Sequence, residues 1–110
     1  MDLQTIYTSS EAPKKVTERI NRSTVYYVPY NIIESNGVYE YQYISLLPEN
    51  YNYGGMVDAI IGVKYSLQET LAILNNYLFD PTNEKYKREF LELQNFRIYA
   101  KSEAKKYFNL

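Results

Sequence analysis

The Asn36-Gly37 pair, set between two runs of β-branched and aromatic residues, constrains this chain more than any other feature. Both central positions of a type I′ turn need positive φ, and Asn-Gly meets that need best. The flanking runs, Val25-Tyr-Tyr-Val-Pro-Tyr-Asn-Ile-Ile33 and Val38-Tyr-Glu-Tyr-Gln-Tyr-Ile-Ser-Leu46, have the composition of strands. The turn predicts a β-hairpin in which Ser35 faces Val38, Ile32 faces Tyr41, Tyr30 faces Tyr43 and Val28 faces Ser45. One face then gathers Tyr26, Val28, Tyr30, Ile32, Tyr39, Tyr41 and Tyr43, and the other carries Tyr27, Pro29, Asn31, Ile33, Glu40, Gln42 and Ile44. Pro29 has no N–H for a ladder, which marks the first strand as an edge or bulged strand. A lone two-stranded hairpin is marginal in water, so this one must pack on something.

After Pro48 to Gly55, read as a loop whose glycines make a tight turn, the apolar period becomes helical. Met56, Val57, Ile60 and Ile61 form the stripe of a helix of about ten residues. Ser66-Leu-Gln-Glu69 is a capping box, opening a second helix with Leu67, Thr70, Leu71, Leu74, Tyr77 and Leu78 that runs to Phe79. Asp80-Pro81 ends it and reads as N-cap and first residue of a third helix, from Thr82 to about Tyr107. There Tyr86, Phe90, Leu93, Arg97, Ala100, Ala104 and Tyr107 form a heptad-like seam. Residues 1–24 are poorer in large apolar side chains and read as an N-terminal arm, with a short helix at most over Lys14 to Arg22. The expected fold is α+β: the arm, one hairpin, then three helices ending in a long one, with 25–110 as the folded domain.

Composition narrows the chemistry. The 110 residues include no Cys and no His, which removes disulfides, thiolate nucleophiles, Cys or His zinc sites and any Ser-His or Cys-His pair. Among the acids, Glu69 is explained by the capping box and Asp80 by its cap position. Asp58 lacks a second acid at helical spacing, and Glu89 and Glu92 sit among lysines. Gly54-Gly55 lacks the Lys and Ser/Thr of a phosphate loop. The chain is read as non-enzymatic, with no catalytic, metal or cofactor residues. Its start lacks the basic-then-apolar order of a signal peptide, and no run approaches a membrane span, so a soluble protein made in a cytoplasm is expected.

Net charge is −1, with 12 basic and 13 acidic residues, which argues against general affinity for nucleic acid. Charge is uneven: residues 84–110 hold seven basic and four acidic side chains, and residues 25–83 hold one and six. Tyrosines on the hairpin have the chemistry to stack bases, but they are interleaved with Glu40 rather than with Lys or Arg.

Fourteen Tyr and no Trp is a heavy load for one small domain. Tyrosine supplies rigid contact area with a polar tip and is enriched at protein interfaces. Two readings stand side by side, a tyrosine core with hydroxyls reaching the surface or a face completed by another chain. Arg97 on a helical seam wants a carboxylate, either Glu69 or an acid on a neighbouring chain. The side chains expected at a partner interface are Tyr7, Tyr27, Ile33, Tyr41, Tyr43, Ile44, Phe96 and Arg97.

Several segments carry a resemblance: Tyr27-Val-Pro-Tyr-Asn-Ile-Ile33, Tyr53-Gly-Gly-Met-Val-Asp-Ala-Ile-Ile61, Lys64-Tyr-Ser66, Leu74-Asn-Asn-Tyr-Leu78, and Glu89-Phe-Leu-Glu-Leu-Gln-Asn-Phe-Arg97 with Ala100-Lys101. Over roughly residues 25–105 the chain resembles small virion-associated proteins of tailed phages of gut Bacteroidales, and is similar to head-fibre or accessory structural proteins of crAss-like phages. The shared residues are packing and turn residues, so no site residue is carried over. The resemblance implies a virion component that links other phage structural proteins, itself homo-oligomeric with a dimer favoured. The alternative is a small phage-encoded regulatory adaptor that binds a host protein or nucleic acid.

Overall fold

A computed structural model describes residues 1–110. Four strands, β1 (Tyr7–Ser9), β2 (Val16–Ile20), β3 (Ser23–Ser35) and β4 (Val38–Leu46), form one antiparallel sheet in the order β1-β4-β3-β2. A 3-10 turn at Pro48–Asn50 leads to three helices, α1 (Tyr53–Lys64), α2 (Leu67–Phe79) and α3 (Glu84–Phe108). The class is α+β, as expected, with the long helix last.

The expected turn is present, with Asn36 and Gly37 both at positive φ and Ser35 opposite Val38. Five residues on, the register departs from expectation. Ile33 faces Glu40 but Tyr30 faces Gln42, so Asn31 and Ile32 together span the place of Tyr41. This is a β-bulge, and Asn31 adopts the left-handed φ of 55°. Because side chains alternate, one extra residue turns everything upstream to the opposite face. Val28 therefore lies across from Ile44 rather than Ser45, and Tyr26 across from Leu46. Pro29 fits beside the bulge and beyond the last pair of the β2 ladder, Val16 with Tyr27.

Residues 1–24 are not an arm appended to the domain. β1 pairs with β4 and β2 with β3, so this segment supplies both outer strands. The expected short helix over Lys14 to Arg22 is instead β2 and a two-residue turn, with Asn21 and Arg22 both at positive φ. That turn has the same geometry as Asn36-Gly37, but Arg in place of Gly hides it from a sequence reading. Lys15 seats its ammonium over the rings of Tyr26 and Tyr51, at 4.5 and 4.8 Å.

The main core lies between one sheet face and helices α1 and α3. Val28, Tyr30, Ile44 and Leu46 meet Met56, Val57 and Ile60 of α1 and Ala100 and Ala104 of α3. The two alanines let α3 approach closely, and burial of this apolar surface is the main stabilising term. Two polar ties hold the helix in place. The Tyr99 hydroxyl donates to Asn31 Oδ1 at 2.9 Å, and the Asn31 amide N–H donates to Glu103 Oε2 at 3.3 Å. At the other end of the sheet, the Tyr51 and Tyr107 hydroxyls share a hydrogen bond of 2.8 Å.

Helix termini follow their local chemistry. Gly54 and Gly55 sit in the first turn of α1 rather than in a loop, with Asn52 as N-cap accepting from the Gly55 N–H at 2.8 Å. The capping box of α2 is complete, Ser66 accepting from the Glu69 N–H and Glu69 from the Ser66 N–H. Asp80 is the C-cap of α2, and it is Asn83 that caps α3, accepting from the N–H groups of Lys85 and Tyr86. The expected Asp80-Pro81 start is therefore displaced by three residues.

The radius of gyration is 16.3 Å, against the ~13 Å usual for a chain of about this length. The molecule is broad and flat, 47 × 40 × 26 Å, with α2 packed along α3 as a helical hairpin beside the sheet. Their contact is anchored by Tyr77 stacked on Phe90, with ring centroids 4.0 Å apart and an interplanar angle of 5°.

Two outcomes follow. A Cβ at Gly55 would collide with the Asn50 carbonyl, whereas one at Gly54 meets only the Asn52 side chain at ordinary contact distance. Gly55→Ala should cost about 2–3 kcal/mol in urea unfolding, and Gly54→Ala should leave the midpoint almost unchanged. Burial first, then the Glu103 carboxylate, pushes the Tyr99 hydroxyl up to about 12 from its ordinary 10.0. A raised value means the fold favours the neutral phenol, so its contribution is complete below pH 10 and lost as pH climbs through 12. Tyr99→Phe should cost about 1 kcal/mol at neutral pH, and should make the fall in stability between pH 10 and 12 shallower.

Candidate interaction surface

The eight expected interface residues fall in four places. Tyr27, Tyr41 and Tyr43 gather with Tyr7 on the sheet face away from the helices. Their rings pack edge-to-face or stacked: Tyr41 with Tyr43 at 5.5 Å, Tyr7 with Tyr43 at 5.4 Å, and Tyr7 with Tyr41 at 6.1 Å. Leu3, Val16, Val25 and Tyr39 close the cluster at its margins, leaving Tyr27, Tyr41 and Tyr43 buried. Burial, and then the neighbouring Tyr41, raises the Tyr43 hydroxyl above its ordinary value. This face is a second small core, and the segment read as an arm supplies much of its cover.

Ile44 does not join that face. Strand alternation sets it opposite Tyr41 and Tyr43, on the helix side, where the bulge in β3 brings Val28 across from it and it is 2% exposed in the main core. Ile33 lies beyond the bulge near the hairpin tip, 55% exposed, with Ile32 and Val38 as exposed neighbours. The hairpin expectation therefore separates into a buried residue and a surface residue.

Phe96 and Arg97 lie on α3 where the three helices converge. Phe96 is half-buried between Tyr65 and Tyr99, with centroids at 5.8 and 5.6 Å, and the Lys64 ammonium is 5.2 Å from its ring. Arg97 reaches the floor of an open cleft of about 560 Å³. Ile61 and Tyr65 of α1 form one wall, Leu67, Thr70 and Leu74 of α2 form the other, and Asp58 stands at the rim. The expected partner Glu69 is committed to the capping box, and Arg97 forms no ion pair within the chain.

Sequence reading missed the most exposed apolar surface. The apolar residues of α2 find little cover within the fold, and the helix has no fully buried residue. Thr70, Ile73, Leu74 and Tyr77 are half-buried, while Leu67 is 75%, Leu78 76% and Phe79 89% exposed, with Leu71 also exposed. The available signal was breadth: apolar residues on α2 cover more of its circumference than one neighbouring helix can bury. Isolated exposed leucines are ordinary, but a contiguous patch of them marks an interaction surface.

No family model matches the chain, and no curated protein or solved structure is significantly similar to it. No helix is long and apolar enough to cross a membrane. No three acidic side chains come together as a group able to hold a metal ion.

The division of the expected site is measurable. Ile44→Ala should lower stability by about 2–4 kcal/mol, the cost of a cavity in a packed core. Ile33→Ala should change it by no more than about 0.5 kcal/mol. Chemical denaturation of both variants checks this, and equal costs would contradict the bulged register.

Proposed function

We propose that the chain is a non-enzymatic structural protein of a tailed-phage particle, an oligomeric linker or fibre anchor that docks on other virion subunits. The observation that carries the interaction reading is α2, a capped and well-formed helix whose leucines and terminal phenylalanine lie in solvent. A fold that has already covered both sheet faces has no internal use for them. The phage setting comes from the resemblance of residues 25–105 to virion accessory proteins. Its partners on this reading are phage structural proteins, with no cofactor, metal, nucleic acid or membrane involved.

Quantitative mass spectrometry of purified particles of the phage or prophage that encodes the chain tests the proposal. The expected result is a fixed molar ratio to the major capsid protein that persists through density-gradient purification. Abundance in infected cells with absence from particles would overturn it and favour the regulatory adaptor.

A further inference from the structure

We infer that α2 is a self-association helix, pairing antiparallel with α2 of a second copy of this chain about a two-fold axis. This rests on the reading of the chain as an oligomeric module and names the surface and the partner. The leucines of α2 stand at 67, 71, 74 and 78, at intervals of four, three and four. At 3.6 residues per turn they fall in one stripe about 60° wide. The spacing reads the same in both directions. An antiparallel two-fold therefore sets Leu67 against Leu78 of the second copy and Leu71 against Leu74, an isologous contact in which one patch complements itself.

Charge agrees with that occupant. The stripe carries no charged residue, and Glu69, the one charge within α2, lies on the opposite side of the helix, away from the contact. No like charges are brought together. Leu67, Leu71, Leu78 and Phe79 are between 49% and 89% exposed. Of these, the three leucines lie on the stripe and present roughly 350–400 Å² of surface, about half of the ~800 Å² that each partner buries in a stable interface, while Phe79 stands about 110° round the helix from its centre. Leu67 and Leu74 also wall the cleft floored by Arg97, so a helix laid along the stripe covers the cleft mouth. Helix α2 is 13 residues long, a length that is marginal without packing, and α3 supports only one of its flanks.

The chain has no cysteine, so introduced thiols report the pairing alone. Leu67→Cys and a size-tagged Leu78→Cys, both at exposed positions, are each purified, checked for native helix content by circular dichroism, and mixed under mild oxidation. In the antiparallel pair, two copies of position 67 are about 16 Å apart along the axis, beyond the ~7 Å that a disulfide can span between Cα atoms. The expected result is a disulfide-linked heterodimer in the mixture and none from either variant alone. In parallel, light scattering should give twice the 13.0 kDa chain mass for the unmodified protein and the single mass for Leu71→Glu/Leu78→Glu. Cross-linking of Leu67→Cys with itself would overturn the antiparallel arrangement. A monomeric unmodified chain, or a dimer that survives the double Glu substitution, would overturn α2 as the self-association surface. If either occurs while the chain is still found at fixed ratio in particles, the virion reading stands and α2 serves a different subunit.

Discussion

The extra residue that β3 carries opposite Tyr41 sets what each face of the sheet is made of. Upstream of Asn31 and Ile32, alternation is inverted relative to an unbroken hairpin, and this brings Val28 and Tyr30 to the same side as Ile44 and Leu46. Without the bulge, Tyr30 would pair with Tyr43 and Ile44 would turn away from Val28, dividing the apolar residues between two incomplete faces. The bulge is also where the helical layer is attached. Asn31 in its left-handed conformation offers its N–H to Glu103 and its side chain to Tyr99 and Gln42. Register and docking of α3 thus depend on one residue, and Asn is among the few that adopt such a φ readily.

Once the faces are sorted, the sheet has two apolar sides and only one layer of helices. The helix side is closed by Met56, Val57, Ile60, Ala100 and Ala104, and by the aromatic end-group of Tyr51, Tyr107 and Phe108. The other side is closed by tyrosines lying on one another, which works because their hydroxyls can stay at the rim while the rings pack. This requires more strand surface than a hairpin offers. β1 and β2 supply it, laying Tyr7 beside Tyr41 and Tyr43, and Val16 beside Tyr27. The first 24 residues are therefore part of the fold's covering.

The strongest local signals were legible in the chain. Asn36-Gly37, the Ser66 to Glu69 capping box, the stripe of α1 and the seam from Tyr86 to Tyr107 all have fixed positions because their chemistry is local. What was not legible depended on distance. The bulge has no mark in composition beyond an Asn in a strand, and its energy comes from Tyr99 and Glu103, some 70 residues away. β1 and β2 are short and polar outside, and gain their stability from the tyrosines they cover. The same bulge regroups residues expected at an interface: Tyr27 joins Tyr41 and Tyr43 on one face, and Val28 joins Ile44 on the other. Arg97 stands out on the helical seam in the sequence, and in the structure it lines the cleft between α1 and α2.

The contrast between the tyrosines and the leucines shows which apolar side chains the monomer uses and which it leaves in solvent. Residues with polar tips and large rings were the natural suspects for an interface, yet here they bury one another and satisfy the monomer. The leucines of α2 satisfy nothing within it. Their helix is held by a capping box, by the Asn83 cap that follows, and by the stacked pair of Tyr77 and Phe90, none of which involves the exposed stripe. Monomer stability therefore does not account for Leu67, Leu71 and Leu78, and the proposed pairing of α2 would. An uncharged stripe associates by removal of apolar area from water, which salt does not screen. In the proposed dimer the uneven charge of the chain, basic along α3 and acidic before it, would govern how fast and in what orientation molecules meet rather than how tightly they hold.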